Sequence, residues 1–164
     1  WKDRKFFTGI SPARPNSVKT NITLRKATLH DSSYLMAWRN DPITMVQSKN
    51  QSPVSPLEHE QWMNSVLNNQ DCQLYIAEND IGERIGTVRT DKKGDTTILS
   101  WTVAPTHRGQ GVGTSILTKM LRQLEGHIVA YIKDSNTPSI KMAKSVGMKV
   151  VESEQGLLKW ELRK

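Results

Sequence analysis

A single cysteine, Cys72, in a chain of 164 residues excludes an internal disulfide and suits a reducing compartment, so a cytoplasmic location is expected. No stretch approaches ~18 consecutive apolar residues, so no membrane-spanning helix and no membrane partner are expected. The first residues, Trp1-Lys2-Asp3-Arg4-Lys5-Phe6-Phe7, lack the apolar run and small-residue cleavage site of a secretory signal. His30, His107 and His127 are too scattered along the chain to suggest a metal site, and no metal is expected. Neither an internal repeat nor a low-complexity tract is present. The absence of an initial Met is compatible with a processed product, a trimmed form or a piece of a longer polypeptide, including a fusion behind an upstream domain.

The formal net charge of +7 invites a nucleic-acid reading, but its location argues against one. Residues 1–26 carry seven basic residues and one acidic residue, a balance of +6, so residues 27–164 carry only +1. The basic character therefore belongs to an N-terminal arm or linker over residues 1–20, with Ser11-Pro12-Ala13-Arg14-Pro15-Asn16-Ser17 reading as linker. Residues 21–164 form one near-neutral domain, and no nucleic-acid partner is expected.

Ile22–Ala27 reads as a short strand, and Thr28 with Asp31 three residues later as the capping box of a helix that ends near Pro42. Residues 43–54 show no period. Ser55 opens a second helix with Pro56 at its first position and Glu58 three residues after the cap; its apolar stripe reads as Leu57, Trp62, Val66 and Leu67. Gln73–Glu78, Arg84–Arg89 and Thr97–Val103 follow as an antiparallel meander. Gly111–Leu124 is a helix, His127–Lys133 a strand too apolar for an edge, and Thr137-Pro138 starts a helix that Gly147 ends. Lys149–Val151 and Leu157–Leu162 close the chain as a hairpin. The order is β-α-α-β-β-β-α-β-α-β-β, an α/β (α+β) fold. Its mixed, mostly antiparallel seven-stranded sheet carries helices on both faces, and strands 97–103 and 127–133 are parallel.

The most informative stretch is Val103-Ala104-Pro105-Thr106-His107-Arg108-Gly109-Gln110-Gly111-Val112-Gly113-Thr114. A strand ends, three Gly fall within five residues, and an amphipathic helix begins. The first helical N–H groups have no intrahelical partner, and the helix dipole adds partial positive charge there. Gly lets those amides converge on a pyrophosphate, and Arg108 and Thr114 can add side-chain donors. The Walker pattern fails because no Lys precedes Thr114, and the dinucleotide fingerprint fails because Gly109, Gly111 and Gly113 are spaced by two.

Arg108-x-x-Gly111-x-Gly113, with Asn136-Thr137-Pro138-Ser139-Ile140 and Gly147-Met148 downstream, resembles the GNAT-type N-acetyltransferase superfamily over residues 20–164. The resemblance implies acetyl-CoA as co-substrate. It implies that Val103 and the segment Arg108, Gly109, Gln110, Gly111, Val112, Gly113 and Thr114 hold pantetheine and pyrophosphate, that Asn136 and Ser139 touch CoA, and that strands 97–103 and 127–133 splay apart to admit pantetheine. Trp38-Arg39-Asn40-Asp41-Pro42, Ser55-x-x-Glu58-His59-x-x-Trp62 and Val88-Arg89-Thr90-Asp91 look like the branch that acetylates amino groups on nucleotide-linked deoxysugars, which is also similar to protein N-terminal acetyltransferases. Arg39, Asn40, Trp62 and Arg89 are the corresponding acceptor-binding candidates, a small-molecule amine the expected partner, and a homodimer stays open.

An amine attacking a thioester must be unprotonated, held near the carbonyl and met by a donor for the developing oxyanion. The Val103 N–H is the expected oxyanion donor. Strand 97–103 lacks the carboxylate that relatives often carry, which leaves His59, Glu78 or a relayed water as base. The Tyr that many relatives place four residues before the helix-ending Gly is Ala143 here, so Ser139, water or no group at all protonates the leaving thiolate. The rival functions are a protein N-terminal or small-amine acetyltransferase and a non-catalytic acyl-CoA-binding module.

Overall fold

A computed structural model describes residues 21–164. The basic arm expected over 1–20 lies outside the described residues. Seven strands form one sheet: β1 (Thr23–Lys26), β2 (Cys72–Glu78), β3 (Arg84–Lys93), β4 (Thr96–Val103), β5 (His127–Lys133), β6 (Lys149–Glu154) and β7 (Leu157–Arg163). Their spatial order is β1-β2-β3-β4-β5-β7-β6. Every neighbouring pair is antiparallel except β4 and β5, joined through a crossover helix as a parallel pair.

Alternation along the strands sorts two cores onto the two faces. On β2, Cys72, Leu74 and Ile76 face a cluster built with Leu35 and Trp38 of α1 (Ser32–Arg39) and with Met63 and Val66 of α3 (Pro56–Asn68). Ala77 and Tyr75 face the larger cluster, which takes Ile116, Leu117 and Met120 from α4 (Val112–Arg122) and Ala143 from α5 (Thr137–Ser145).

Several sequence expectations need correction. The capping box at Thr28 opens a 3-10 turn, Leu29–Asp31, before α1 begins. Thr28 N–H donates to Asp31 Oδ2 at 2.8 Å. Asp31 is fully buried and accepts from Arg25 at 2.9 and 2.7 Å and from Arg84 at 2.8 Å. Burial alone would push its carboxyl up; the Arg25, Arg84 and Thr28 donors outweigh burial and hold it below the usual carboxylate range. Residues 43–54 are not structureless: α2 spans Pro42–Gln47, with Asp41 as its N-cap and Pro42 at its first position. The α3 stripe is His59, Met63 and Val66, whereas Leu57 is 65% and Leu67 37% exposed. Spacings of four and three keep the first set on one face, and Leu57 falls to the other side. Strand β3 runs on through Lys93, so the β3–β4 turn shrinks to Gly94 and Asp95.

The Ser55 cap is present: its side chain accepts the Glu58 N–H at 3.2 Å. Replacing Ser55 with Ala is expected to cost about 1 kcal/mol, a fall in Tm of about 3 °C by scanning calorimetry.

Candidate active site

The chain leaves β4 at Val103, makes a turn over Pro105–His107 and enters α4 through Gly109 (φ 73°) and Gly111 (φ 76°). Gly111 occupies the left-handed N-cap position, and no side chain caps α4. By contrast Asp41, Ser55 and Asn136 each cap the helix they precede. A Cβ on Gly109 or Gly111 would meet nothing within 4 Å, so the space over the loop is open. Free first-turn amides, the dipole and open space together make an anion site that fits a pyrophosphate. Gly113 does different work: a Cβ there would lie 2.4 Å from Met142 Sδ, so it lets α5 pack close against α4.

Beside the loop the sheet comes apart. Strands β4 and β5 pair only over Thr96–Ile98 and His127–Val129. Ala104 N–H donates to Ile85 O on the β3 side. Backbone groups alternate sides along a strand, so the N–H and C=O of Trp101 and Val103 point toward β5 beyond its last paired residue, where no strand receives them. The splay opens a groove of about 680 Å³ that reaches from Leu99–Val103 and Tyr131–Lys133 to Arg108, Gly109 and Gly111–Thr114. Asn136 and Ser139 line it as well; Asn136 Oδ1 accepts the Ser139 N–H at 3.3 Å, and Thr114 Oγ1 lies 3.2 Å from Ser145 Oγ. Gln110 is exposed and lies outside the groove lining.

The Arg108 side chain is engaged elsewhere. Its Nη2 donates to Asp41 Oδ2 at 2.5 Å and Thr44 Oγ1 at 3.1 Å, and this guanidinium, against the effect of burial, holds the Asp41 carboxyl below its ordinary range. Lys133 Nζ donates to Val46 O and Ser48 O, both at 2.9 Å. Helix α2, which buries none of its own side chains, is therefore tied across the splay at both ends.

On the α1–α3 face a second cavity, about 450 Å³, is walled by Trp38, Arg39, His59, Trp62, Arg89 and Trp101. His59 is 4% exposed and its Nε2 is buried without a partner. Burial lowers its pKa from the ordinary 6.5, and a hydrogen bond to the Ser32 backbone acts in the opposite direction. Its ring lies 5.4 Å from the Trp62 ring, and the Arg89 guanidinium sits 5.8 Å from that indole on the way to a bidentate pair with Asp91. Arg39 Nη2 donates to Asn50 O and Ser52 O, while its Nη1 is buried and unpaired.

The two remaining candidates sit apart from the cavity. Asn40 spends its amide on the Val54 backbone, at 2.9 and 2.7 Å, and does not line the cavity. Glu78 pairs with Arg25 at the β1–β2 end of the sheet and lines neither space. Sequence reasoning missed Thr44 and Ser48, which line both spaces, and Lys133. An Asp41-Pro42 pair read as a helix start would have found the first two.

A family model described as an acetyltransferase (GNAT) domain matches residues 21–149. A comparison with curated protein sequences finds no match. Among solved structures, a domain from Methanocaldococcus jannaschii superposes with a TM-score of 0.79 at 21% identity, covering 87% of this chain and 98% of its own. The spermidine N-acetyltransferase of Vibrio cholerae, solved with CoA and spermine, gives 0.74 at 15% identity over 85% of this chain and 92% of its own. An aminoglycoside acetyltransferase solved with coenzyme A gives 0.74 at 21% identity over 88% and 95%. At these identities the likeness is one of fold.

Proposed function

The chain belongs to the GNAT acetyltransferase family, and from that premise we propose that it transfers an acetyl group from acetyl-CoA to the primary amine of a small molecule. Both substrates are held at once and no covalent enzyme intermediate forms. The observation that carries the reading is the meeting of two spaces at Ser100–Thr102: the groove that runs from the uncapped start of α4, and the aromatic cavity that holds an unpartnered imidazole nitrogen.

The amides of Gly109 and of Gly111–Thr114 bind the pyrophosphate, and Asn136 and Ser139 border the pantetheine. The pantetheine amides answer the β4 peptide groups that the missing strand pairing leaves open, and the Val103 N–H, with that of Trp101 two residues earlier, stabilises the oxyanion. Acetyl-CoA brings the activated thioester. His59 takes the ammonium proton, or a proton relayed by water, on Nε2. Burial keeps its ring neutral near pH 7, as a base requires. Ala143 is fully buried and has no proton to give, so the thiolate leaves unassisted or beside the Ser139 hydroxyl. A thiol pKa of about 8.5 makes it a tolerable leaving group.

The finer reading of the acceptor is an amino group on a nucleotide-linked deoxysugar. Indoles suit a sugar or base face, and the unpaired Arg39 Nη1 beside Arg89 suits a phosphate. Release of free CoA, followed against nucleotide-linked amino sugars, polyamines and peptides, tests both levels. Turnover with peptides alone would reject the sugar, and no turnover with any amine, despite acetyl-CoA binding, would leave a binding module.

A further inference from the structure

Resting on the acetyl-CoA reading above, we propose that Arg108 is a positioning residue. Through Asp41 it holds α2 as the wall shared by the coenzyme groove and the acceptor cavity, and the diphosphate is left to backbone amides. Ile43 and Gln47 of α2 line the groove, and Thr44 with the C-cap residue Ser48 lines both spaces. Yet the helix has only six residues and buries none of their side chains, with Ile43 62% and Val46 56% exposed. Apolar packing therefore does little to fix it, and a helix this short does not persist unaided.

Polar ties take over that task, one at each end. At the first, Asp41 caps α2 with Oδ2, which accepts the Thr44 N–H at 3.2 Å, and Arg108 Nη2 donates to that same oxygen and to the Thr44 hydroxyl. At the other, Lys133 donates to Val46 O and Ser48 O. Arg108 follows the turn that leaves β4, and Lys133 is the last residue of β5, so the two anchors come from the two strands that splay. Asp41 neutralises the Arg108 guanidinium, and turning that group to the diphosphate would take it from the oxygen that caps α2. Arg108 thus serves both sites by fixing their common side, while the free first-turn amides of α4 hold the anion.

The test uses Asp41→Asn, which keeps an equally good N-cap but loses the charge, Arg108→Gln, and the two combined. Amide exchange is read at Thr44, Met45 and Ser48, whose N–H groups bond within this turn. Calorimetry gives Kd for CoA in about 1 M salt, where a Debye length of about 3 Å screens the change in charge itself. Each single variant is expected to speed that exchange about ten-fold and to weaken CoA about five-fold, the double variant adding little because both changes cut one tie. Arg108→Lys should restore most of both. With the best amine of the acceptor screen, Arg108→Gln should raise KM for the amine as well as for acetyl-CoA. Tighter CoA binding in Asp41→Asn with weaker binding in Arg108→Gln would make Arg108 a phosphate ligand that Asp41 withholds, and would overturn the proposal. So would unchanged exchange in folded Arg108→Gln protein. Failure of CoA to bind the natural protein would remove the acetyl-CoA reading alone, since the exchange result still decides whether Arg108 holds α2.

Discussion

Coenzyme A titrated into the Gly111→Glu protein is expected to give no measurable heat of binding. Gly111 holds φ at 76°, a left-handed conformation that costs a residue with a side chain about 1–2 kcal/mol. The larger effect is electrostatic. The introduced carboxylate meets no steric obstacle, since nothing lies within 4 Å of a Cβ there, and is free to cap the first α4 amides itself. It thereby occupies the anion site and opposes the incoming diphosphate, a like-charge contact that costs several kcal/mol. Even about 3 kcal/mol weakens binding about 100-fold. Gly111→Ala separates the two causes: it carries the backbone strain without the charge, so it should lower Tm while keeping most of the affinity. A folded Gly111→Glu protein that binds CoA nearly normally would contradict the site.

His59→Gln is expected to lower kcat/KM by about 100-fold while leaving acetyl-CoA binding intact. The pH profile is the sharper readout. Only the neutral imidazole accepts a proton, and burial lowers its pKa below 6.5, so activity should be lost as pH falls through a midpoint below the ordinary histidine value. The same shift acts on stability. The fold favours the neutral ring, so His59 contributes stability that is present above the unfolded-state pKa and is lost as pH falls through the lower folded value. Glutamine keeps a polar amide in place of the ring but does not titrate. An acid limb that persists unchanged in His59→Gln would assign the base elsewhere.

Much of the frame could be read in the sequence because its signals are local. Ser55-Pro56-x-Glu58 places the start of α3 through a cap, a fixed φ and a favourable charge, all within one turn. The glycines at 109 and 111 have the positive φ that their type permits, and the strand-to-helix junction around them follows from chain order. What could not be read depends on contacts distant in sequence. Helix α2 has no apolar period because it buries nothing; it is held by Arg108 from one side of the cleft and Lys133 from the other. The role of Asn40 depends on Val54, fourteen residues on, and the buried His59 meets the backbone of Ser32, far back in the chain. Arg108 itself carries the familiar motif, yet its partner is Asp41, sixty-seven residues earlier, a pairing that no local signal announces.

The early end of the β4–β5 ladder makes the architecture incomplete by design of the chain itself. In the heart of the sheet, peptide groups sit with no neighbour to answer them, and only solvent or a guest with amides of its own can do so. A pantetheine arm has such amides. It enters as a missing edge of the fabric, so coenzyme should raise the melting temperature by mass action, about 2.7 kcal/mol at a hundred times its Kd. Amide exchange should slow most at Trp101 and Val103, midway through the protein's interior rather than at its rim.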